Sequence, residues 1–293
     1  MRLLGNSSPR PLRSPRRVIL LVCAVTFWLT NILLIFNHQL AVEKLPDTAP
    51  AFAPDGIVYQ STDYSCGPAS LATIFRHFKV IKSEREWGEL AGTNISVGTT
   101  LAGLRKAGED MGLDVVEMSP TFDQLDLISW PAVVFQSRIY HLVTFWGLDE
   151  TRKMIIRDPA RGILRWDSSQ YEFNTPEKLK MLVFYPGRVP VCDEETSPIE
   201  IGRFQNMLSS LGYYRGDIDG GWSRGLSDAI GKFQRDMDLE RTGIADPATS
   251  IYMEGAWHLV SNGPIEPFMQ IDRRKHTTVR SAPILSYLTH SDE

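Results

Sequence analysis

Gln60-Ser-Thr-Asp-Tyr-Ser-Cys66-Gly-Pro-Ala-Ser-Leu-Ala-Thr-Ile-Phe-Arg-His-Phe78 is the stretch on which the fold turns. It reads as an extended approach that ends in a cysteine and passes at once into a helix. Pro68 suits a first helical turn, where its missing N–H is no loss. Leu71, Ile74, Phe75 and Phe78 then recur at spacings of three and four, which predicts an amphipathic helix with one buried stripe. Cys66 therefore stands at a helix N-terminus, where unpaired N–H groups and the helix dipole favour negative charge. The thiolate is the nucleophilic form of a cysteine. For an isolated cysteine, burial as a structural residue is the plain alternative.

Before this stretch, residues 1–17 carry Arg2, Arg10, Arg13, Arg16 and Arg17 and no acid, a basic cytoplasmic stub. Residues 18–36 hold no charge, with Thr26, Thr30 and Asn31 as their polar members. At about 1.5 Å per residue such a helix nearly spans a bilayer core. The arginines precede it and Glu43, Lys44 and Asp47 follow, so the N-terminus is expected to stay in the cytoplasm. A cleaved signal peptide is the competing reading. Its small-x-small site should lie just past the apolar run, whereas Ala51-Phe52-Ala53 comes about 15 residues later and precedes Pro54. An uncleaved anchor in the bacterial inner membrane is favoured, with the rest of the chain periplasmic. Residues 37–55, with Pro46, Pro50 and Pro54, read as a linker.

After it, residues 56–188 read as one α+β domain. Ser83 to Ala91 predicts a short helix with Trp87 and Leu90 inward, and Leu101 to Met111 a second, ended by Gly112. From residue 113 the period changes to that of strands. Five are expected, at 113–118, 131–135, 139–146, 153–157 and 181–185, which is the helices-then-antiparallel-sheet order. A turn at Glu150-Thr151 pairs 139–148 with 153–158, and sets His141 opposite Ala160. Asp158 then lies on the same face as His141, at the diagonal distance of about 7–8 Å between backbones. The inferred constellation is Cys66 as nucleophile, His141 as base and then acid, and Asp158 orienting the imidazole. A register slip by one residue would put the two side chains on opposite faces. His77 is the rival base, but it lies 11 residues up the Cys66 helix, roughly 16 Å along the axis.

These residues resemble the C39 family of papain-like cysteine peptidases, the bacteriocin-processing type. The resemblance rests on Gln60 six residues before Cys66-Gly67, on Ala69 and Leu71, on His141-Leu142-Val143, and on Asp158-Pro159-Ala160-Arg161-Gly162. Gly98-Thr99 to Leu104 also fits a family stretch, to which packing alone is assigned. The resemblance implies a papain-like fold and a peptidase activity. It also implies that the Gln60 amide holds the oxyanion of the tetrahedral intermediate. Ser65 departs from the acidic residue common before the family's cysteine.

Gly187 to Pro198, with Asp193-Glu194-Glu195 and an incidental Cys192, reads as a linker, placed at 189–198. Residues 199–255 predict three short helices with glycine-punctuated loops. They are similar over their length to the peptidoglycan-binding module of cell-wall hydrolases. The matching residues include Phe204-Gln205, Leu211-Gly212-Tyr213-Tyr214, Asp219-Gly220, Phe233-Gln234 and Thr242-Gly243. Tyr213, Tyr214, Arg215 and Asp219 are the candidates for touching the wall. Residues 256–293 read as a disordered tail.

Composition narrows the class further. The chain has 293 residues, a net charge of −4 and 23% charged residues, so no basic surface argues for nucleic acid. Three cysteines, one of them in the apolar run, make no disulfide framework. No metal or cofactor is expected. The anticipated partners are peptidoglycan, a polypeptide substrate and the inner membrane through residues 18–36, with a secretion-system or transporter component as a further one. Two other readings stand beside a wall-tethered peptidase. One is a non-catalytic envelope scaffold, because the pair of modules resembles the periplasmic half of the type II secretion accessory ATPase. The other is hydrolysis of peptidoglycan stem peptides.

Overall fold

The apolar positions that punctuate residues 113–186 meet in one antiparallel sheet. Its strands are β1 (Leu113–Met118), β2 (Ala132–Gln136), β3 (His141–Leu148), β4 (Met154–Asp158), β5 (Gly162–Trp166) and β6 (Lys180–Pro186), ordered β1-β6-β2-β3-β4-β5. The structure is a computed structural model that describes residues 15–50, 53–175 and 179–262. Arg2, Arg10 and Arg13 of the stub, the Ala51-Phe52 pair and the tail from residue 263 onward lie outside the described residues.

Alternate side chains of the sheet enter two cores. On one face Val133, Leu142, Trp146, Leu182 and Phe184 meet three helices, α2 (Cys66–His77), α3 (Glu84–Leu90) and α4 (Leu101–Glu109). The helix boundaries follow local chemistry. Ser83 caps α3 in a reciprocal capping box with Glu86, and Thr100 caps α4 through the Gly103 N–H. On the other face Val134, Val143, Phe145, Ile156 and Val183 share a core with Phe204, Leu208, Ile230 and Phe233. Those last residues belong to the C-terminal bundle of α6 (Pro198–Ser210), α7 (Arg224–Asp236) and α8 (Pro247–Asn262). The bundle is thus packed into the sheet, with no open spacer between them.

That packing differs from the expected linker at 189–198. The Val189 N–H donates to Asp114 Oδ2 at 2.8 Å, and Cys192 exchanges both backbone hydrogen bonds with Ala245. Cys192 is fully buried, and burial pushes its thiol up to about 12. It sits in the core on the sheet face opposite Cys66, so the two cysteines are separated by the sheet. A lone apolar residue among prolines and acids gave no periodic signal for this. Residues 256–262 likewise continue α8, where the sequence suggested the start of a tail. Gly255 is what lets α8 lie against a 3-10 turn at Phe122–Leu127, since a Cβ there would stand 2.0 Å from the Leu127 carbonyl oxygen.

Two elements were missed in sequence. β5 is only five residues long, with its buried residues at the two ends, and α5 (Ser168–Asn174) is a short helix capped by Asp167. The hairpin turn also differs from Glu150-Thr151. Asp149 and Lys153 bracket it, and the register shifts by one between Phe145 and Leu148, at Gly147 with φ of +102°. Beyond that bulge Thr144 faces Arg157 and Phe145 faces Ile156, which is the register the sequence predicted for the end that carries His141.

The N-terminal helix α1 runs Pro15–Glu43, past the expected boundary at residue 36. It is long and apolar enough to cross a membrane by length and composition. The polar side chains of its apolar run 18–36 are satisfied within the helix. Thr26 Oγ1 donates to Val22 O, Thr30 Oγ1 to Thr26 O and Asn31 Nδ2 to Phe27 O. A hydrocarbon surround demands that arrangement. The last turns lie on the α+β domain, with Ala41 and Val42 buried.

Candidate active site

Cys66 is the first residue of α2 and is 6% exposed. Ser65 precedes it as N-cap but gives the helix no side-chain cap. Its Oγ is spent on the Thr62–Ser65 turn, donating to Thr62 O and accepting from Thr62 N–H, both at 3.1 Å. The first N–H groups of α2 therefore keep their free hydrogens beside the sulfur, as the first turn of any helix leaves them. Gly67 has a packing reason: a Cβ there would come within 2.4 Å of the Thr99 side chain. Thr99 in turn shares a 2.8 Å hydroxyl hydrogen bond with Thr93. The stretch to which only packing was assigned thus forms one wall beside the cysteine.

His141 begins β3 and Asp158 ends β4, which brings the two to the same end of the sheet. His141 Nε2 and Asp158 Oδ1 stand 2.9 Å apart. With Nε2 committed, Nδ1 is the ring nitrogen left for the Cys66 thiol, which lies near enough to the imidazole to raise its pKa. Burial alone would lower the His141 pKa. The hydrogen bonds to Asp158 and Cys66 outweigh it and raise it to about 9. Asp158 has no solvent exposure. Its burial pushes upward, but donors from His141 and the Ala160 N–H, with the Arg161 charge, hold it below the usual carboxylate range. Arg161 Nε donates to Asp158 Oδ2 at 2.7 Å, and the Arg161 N–H to Oδ1 at 3.2 Å. Asp158-Pro159-Ala160-Arg161-Gly162 is therefore a turn as well as a site: the same carboxylate closes the β4–β5 connection and faces the histidine.

Gln60 is delivered by its backbone, whose N–H donates to Pro159 O at 3.0 Å, next to Asp158. Its side-chain amide donates one hydrogen to Thr62 O at 2.9 Å, which leaves the second hydrogen uncommitted in that bond. A positioning residue absent from the sequence reading is Glu84. It is 3% exposed and its Oε1 accepts the Ser61 N–H at 3.1 Å, pinning the segment between Gln60 and Cys66 to the start of α3. In sequence it is only one acid in a helix N-terminus. His77 is turned away, with its ring edge-on to Trp146 at 5.6 Å between centroids.

The four wall candidates separate. Tyr214 is 8% exposed and its hydroxyl donates to Asp217 O, so packing consumes it. Gly216 makes the room, since a Cβ there would lie 2.4 Å from that hydroxyl. Asp219 Oδ1 accepts from Gln205 Nε2 and the Gly221 N–H, which makes it a loop brace. Tyr213 is half-buried on Phe233 and donates to Asp236. Of the four, Arg215 is exposed and takes no part in that brace. Among the described residues no group of three His, Cys, Asp or Glu could hold a metal ion.

A helix opening on a cysteine, laid on an antiparallel sheet whose end carries His and Asp, is the architecture of papain-like cysteine peptidases. The profile of the Peptidase C39 family matches residues 55–175, and that of a peptidoglycan binding domain matches residues 199–251. The chain belongs to the C39 peptidase family and carries a peptidoglycan-binding domain after it. An uncharacterized protein of Methanothermobacter marburgensis is 38% identical over 109 residues, which are 37% of this chain and 75% of that one. The peptidase domain of ComA from Streptococcus, a bifunctional ABC transporter of a quorum-sensing pathway, is 26% identical. Its TM-score is 0.38, with 43% of this chain and 96% of that chain covered. A periplasmic domain of the EpsAB fusion protein of the Vibrio vulnificus type II secretion system is 12% identical, with a TM-score of 0.35 over 77% of this chain and 90% of that one.

Proposed function

We propose that this chain is a membrane-anchored cysteine peptidase of the cell envelope that cleaves a polypeptide and is held at the wall by its C-terminal bundle. The observation that carries the reading is the 2.9 Å contact of His141 Nε2 with buried Asp158, which leaves Nδ1 as the nitrogen available to Cys66. In this mechanism the thiolate attacks the scissile carbonyl carbon, and the carbonyl π electrons move to oxygen. The resulting oxyanion is met by the Gln60 amide and the Cys66 N–H. His141, protonated on both nitrogens, then gives its Nδ1 proton to the leaving amine as the C–N bond breaks. Water, deprotonated by the now neutral His141, releases the acid from the thioester. Asp158 keeps the other ring proton on Nε2 throughout and balances the imidazolium charge.

The wall role rests on the bundle's family, with Arg215 as an exposed loop residue free to touch a ligand. The anchor role is supported by α1, whose apolar run follows Arg16 and Arg17; in this reading the basic flank stays in the cytoplasm and both folded modules lie in the periplasm.

The deciding experiment incubates the full chain in detergent with a peptide library and with purified sacculi, beside Cys66→Ala. Cleavage of peptides that Cys66→Ala abolishes supports the reading. Release of stem peptides from sacculi would move the substrate to the wall itself. Inactivity on both, with a deletion phenotype in secretion that Cys66→Ala leaves untouched, would replace the enzyme with a scaffold.

A further inference from the structure

The loop after α3 is tied to the apolar helix at the depth where that helix meets the membrane edge. Asn94 Nδ2 donates to Leu34 O at 3.1 Å, Asn37 Nδ2 donates to Ser96 Oγ at 3.1 Å, and the Ile95 N–H points at Asn37 O at 3.5 Å. His38 Nδ1 lies 2.6 Å from Thr93 O, and Tyr64 Oη donates to Ala41 O. If the run 18–36 centres on the bilayer, Leu34 is seven residues from the midpoint at Phe27, or about 10 Å. The hydrocarbon half-thickness is about 15 Å. The loop tip bonded to Leu34 and Asn37 therefore lies at the boundary between acyl chains and headgroups.

The chemistry of the tip fits that depth. From Leu90 to Leu104 the sequence carries no charge. Val97 is 66% exposed and Ile95 half-buried. Several of the tip's polar groups are bonded within the loop. The N–H groups of Asn94 and Gly98 bond each other's carbonyls at 2.9 and 2.8 Å, and the Ser96 N–H donates to Asn94 Oδ1 at 2.8 Å. These bonds lower the cost of bringing that part of the backbone toward lipid.

We propose that the Asn94–Val97 hairpin and the last turns of α1 form a lipid seat, in which Ile95 and Val97 enter the headgroup–acyl boundary and hold the peptidase domain against the bilayer. The proposal rests on the reading of α1 as a membrane anchor. It makes α1 part of the domain's floor, in contrast to a rope that lets the domain wander. The same loop runs on into Thr99, the residue over Gly67, so the seat and the start of the Cys66 helix share one segment.

The test reconstitutes the full chain, with Cys23→Ser and Cys66→Ser, into vesicles of phosphatidylcholine with a minority of phosphatidylglycerol. An environment-sensitive dye is placed by Val97→Cys, and separately by Phe27→Cys and Ile199→Cys. Cys192 is buried and stays unlabelled. The dye at 97 should shift to the blue and be quenched several-fold more by a nitroxide near the headgroup than the dye at 199. The dye at 27 should be quenched most by a nitroxide deep in the acyl chain. A water-like dye at 97 with a buried dye at 27 overturns the seat and leaves the anchor standing. A water-like dye at 27 overturns the anchor, and the seat with it.

Discussion

Asp158 Oδ1 and His141 Nε2 lie 2.9 Å apart, and the same carboxylate also takes the N–H groups of Ala160 and Arg161 and the Arg161 side chain. One acid thus fixes a turn, balances an arginine and selects the ring nitrogen that faces Cys66. Because Asp158 has no solvent exposure, each of these bonds is made in a low-dielectric setting and holds the imidazole in one orientation.

Removing the charge should therefore act through the histidine. Asp158→Asn keeps the shape but can present its N–H2 to Nε2, which reverses the tautomer. Peptidase turnover is expected to fall roughly 10³- to 10⁴-fold. NMR titration should show the His141 pKa dropping from about 9 toward 6.5. An unchanged titration would mean that Asp158 is a turn residue only.

The pH profile follows from the same shift. Imidazolium at His141 persists until about pH 9, so activity should decline on the alkaline side near that value. Alkylation of Cys66 should be slowed strongly by His141→Ala, because the imidazole is the partner of the thiol. Stability carries the matching sign. The raised His141 pKa stabilises the fold fully below about 6.5, and that contribution is lost as pH rises through about 9. The lowered Asp158 pKa stabilises above about 3.9, and its contribution is lost as pH falls through the folded value. Urea unfolding across this range checks both limbs.

Gly67→Ala should destabilise by about 1–3 kcal/mol, because its Cβ would overlap the Thr99 side chain. Thr99→Gly in the same chain should recover most of that loss, so the double-mutant cycle reports a positive coupling. Additive losses would show that the clash is relieved elsewhere.

Glu84→Ala removes the acceptor of the Ser61 N–H, whereas Glu84→Gln retains an oxygen there. The alanine variant is expected to lower kcat/KM with the glutamine variant close to the parent. Equal losses in both would point to the charge instead of the hydrogen bond.

Gly255→Ala would drive a Cβ to 2.0 Å from the Leu127 carbonyl, a backbone atom that cannot swing aside. The bundle should loosen from the sheet, which costs about 1–3 kcal/mol and splits one calorimetric transition into two. A single unshifted transition would argue that α8 adjusts without leaving its contact.

Much of this was legible in sequence because it rests on local periodicity. The stripe at Leu71, Ile74, Phe75 and Phe78 specifies a helix that must open at Cys66, and two-residue alternation specifies strands for His141 and Asp158. The register of their hairpin near the site followed from chain length, and Gly147 absorbed the one-residue error at the turn. What escaped the sequence depends on partners distant in the chain. Cys192 is a core residue only because Ala245 pairs with it, Glu84 positions the Gln60 segment only because α3 begins beside Ser61, and Tyr214 is inward only because Gly216 leaves space.

The sequence by itself determined the cysteine at a helix start, the apolar helix before it and the order of modules, since spacing and composition act within a few turns of chain. Tertiary structure decided which His141 nitrogen meets Asp158, that the bundle shares a core with the sheet, and that the Asn94–Val97 loop rests on α1. Those outcomes are set by the burial of surfaces from segments tens of residues apart, and no local pattern encodes them.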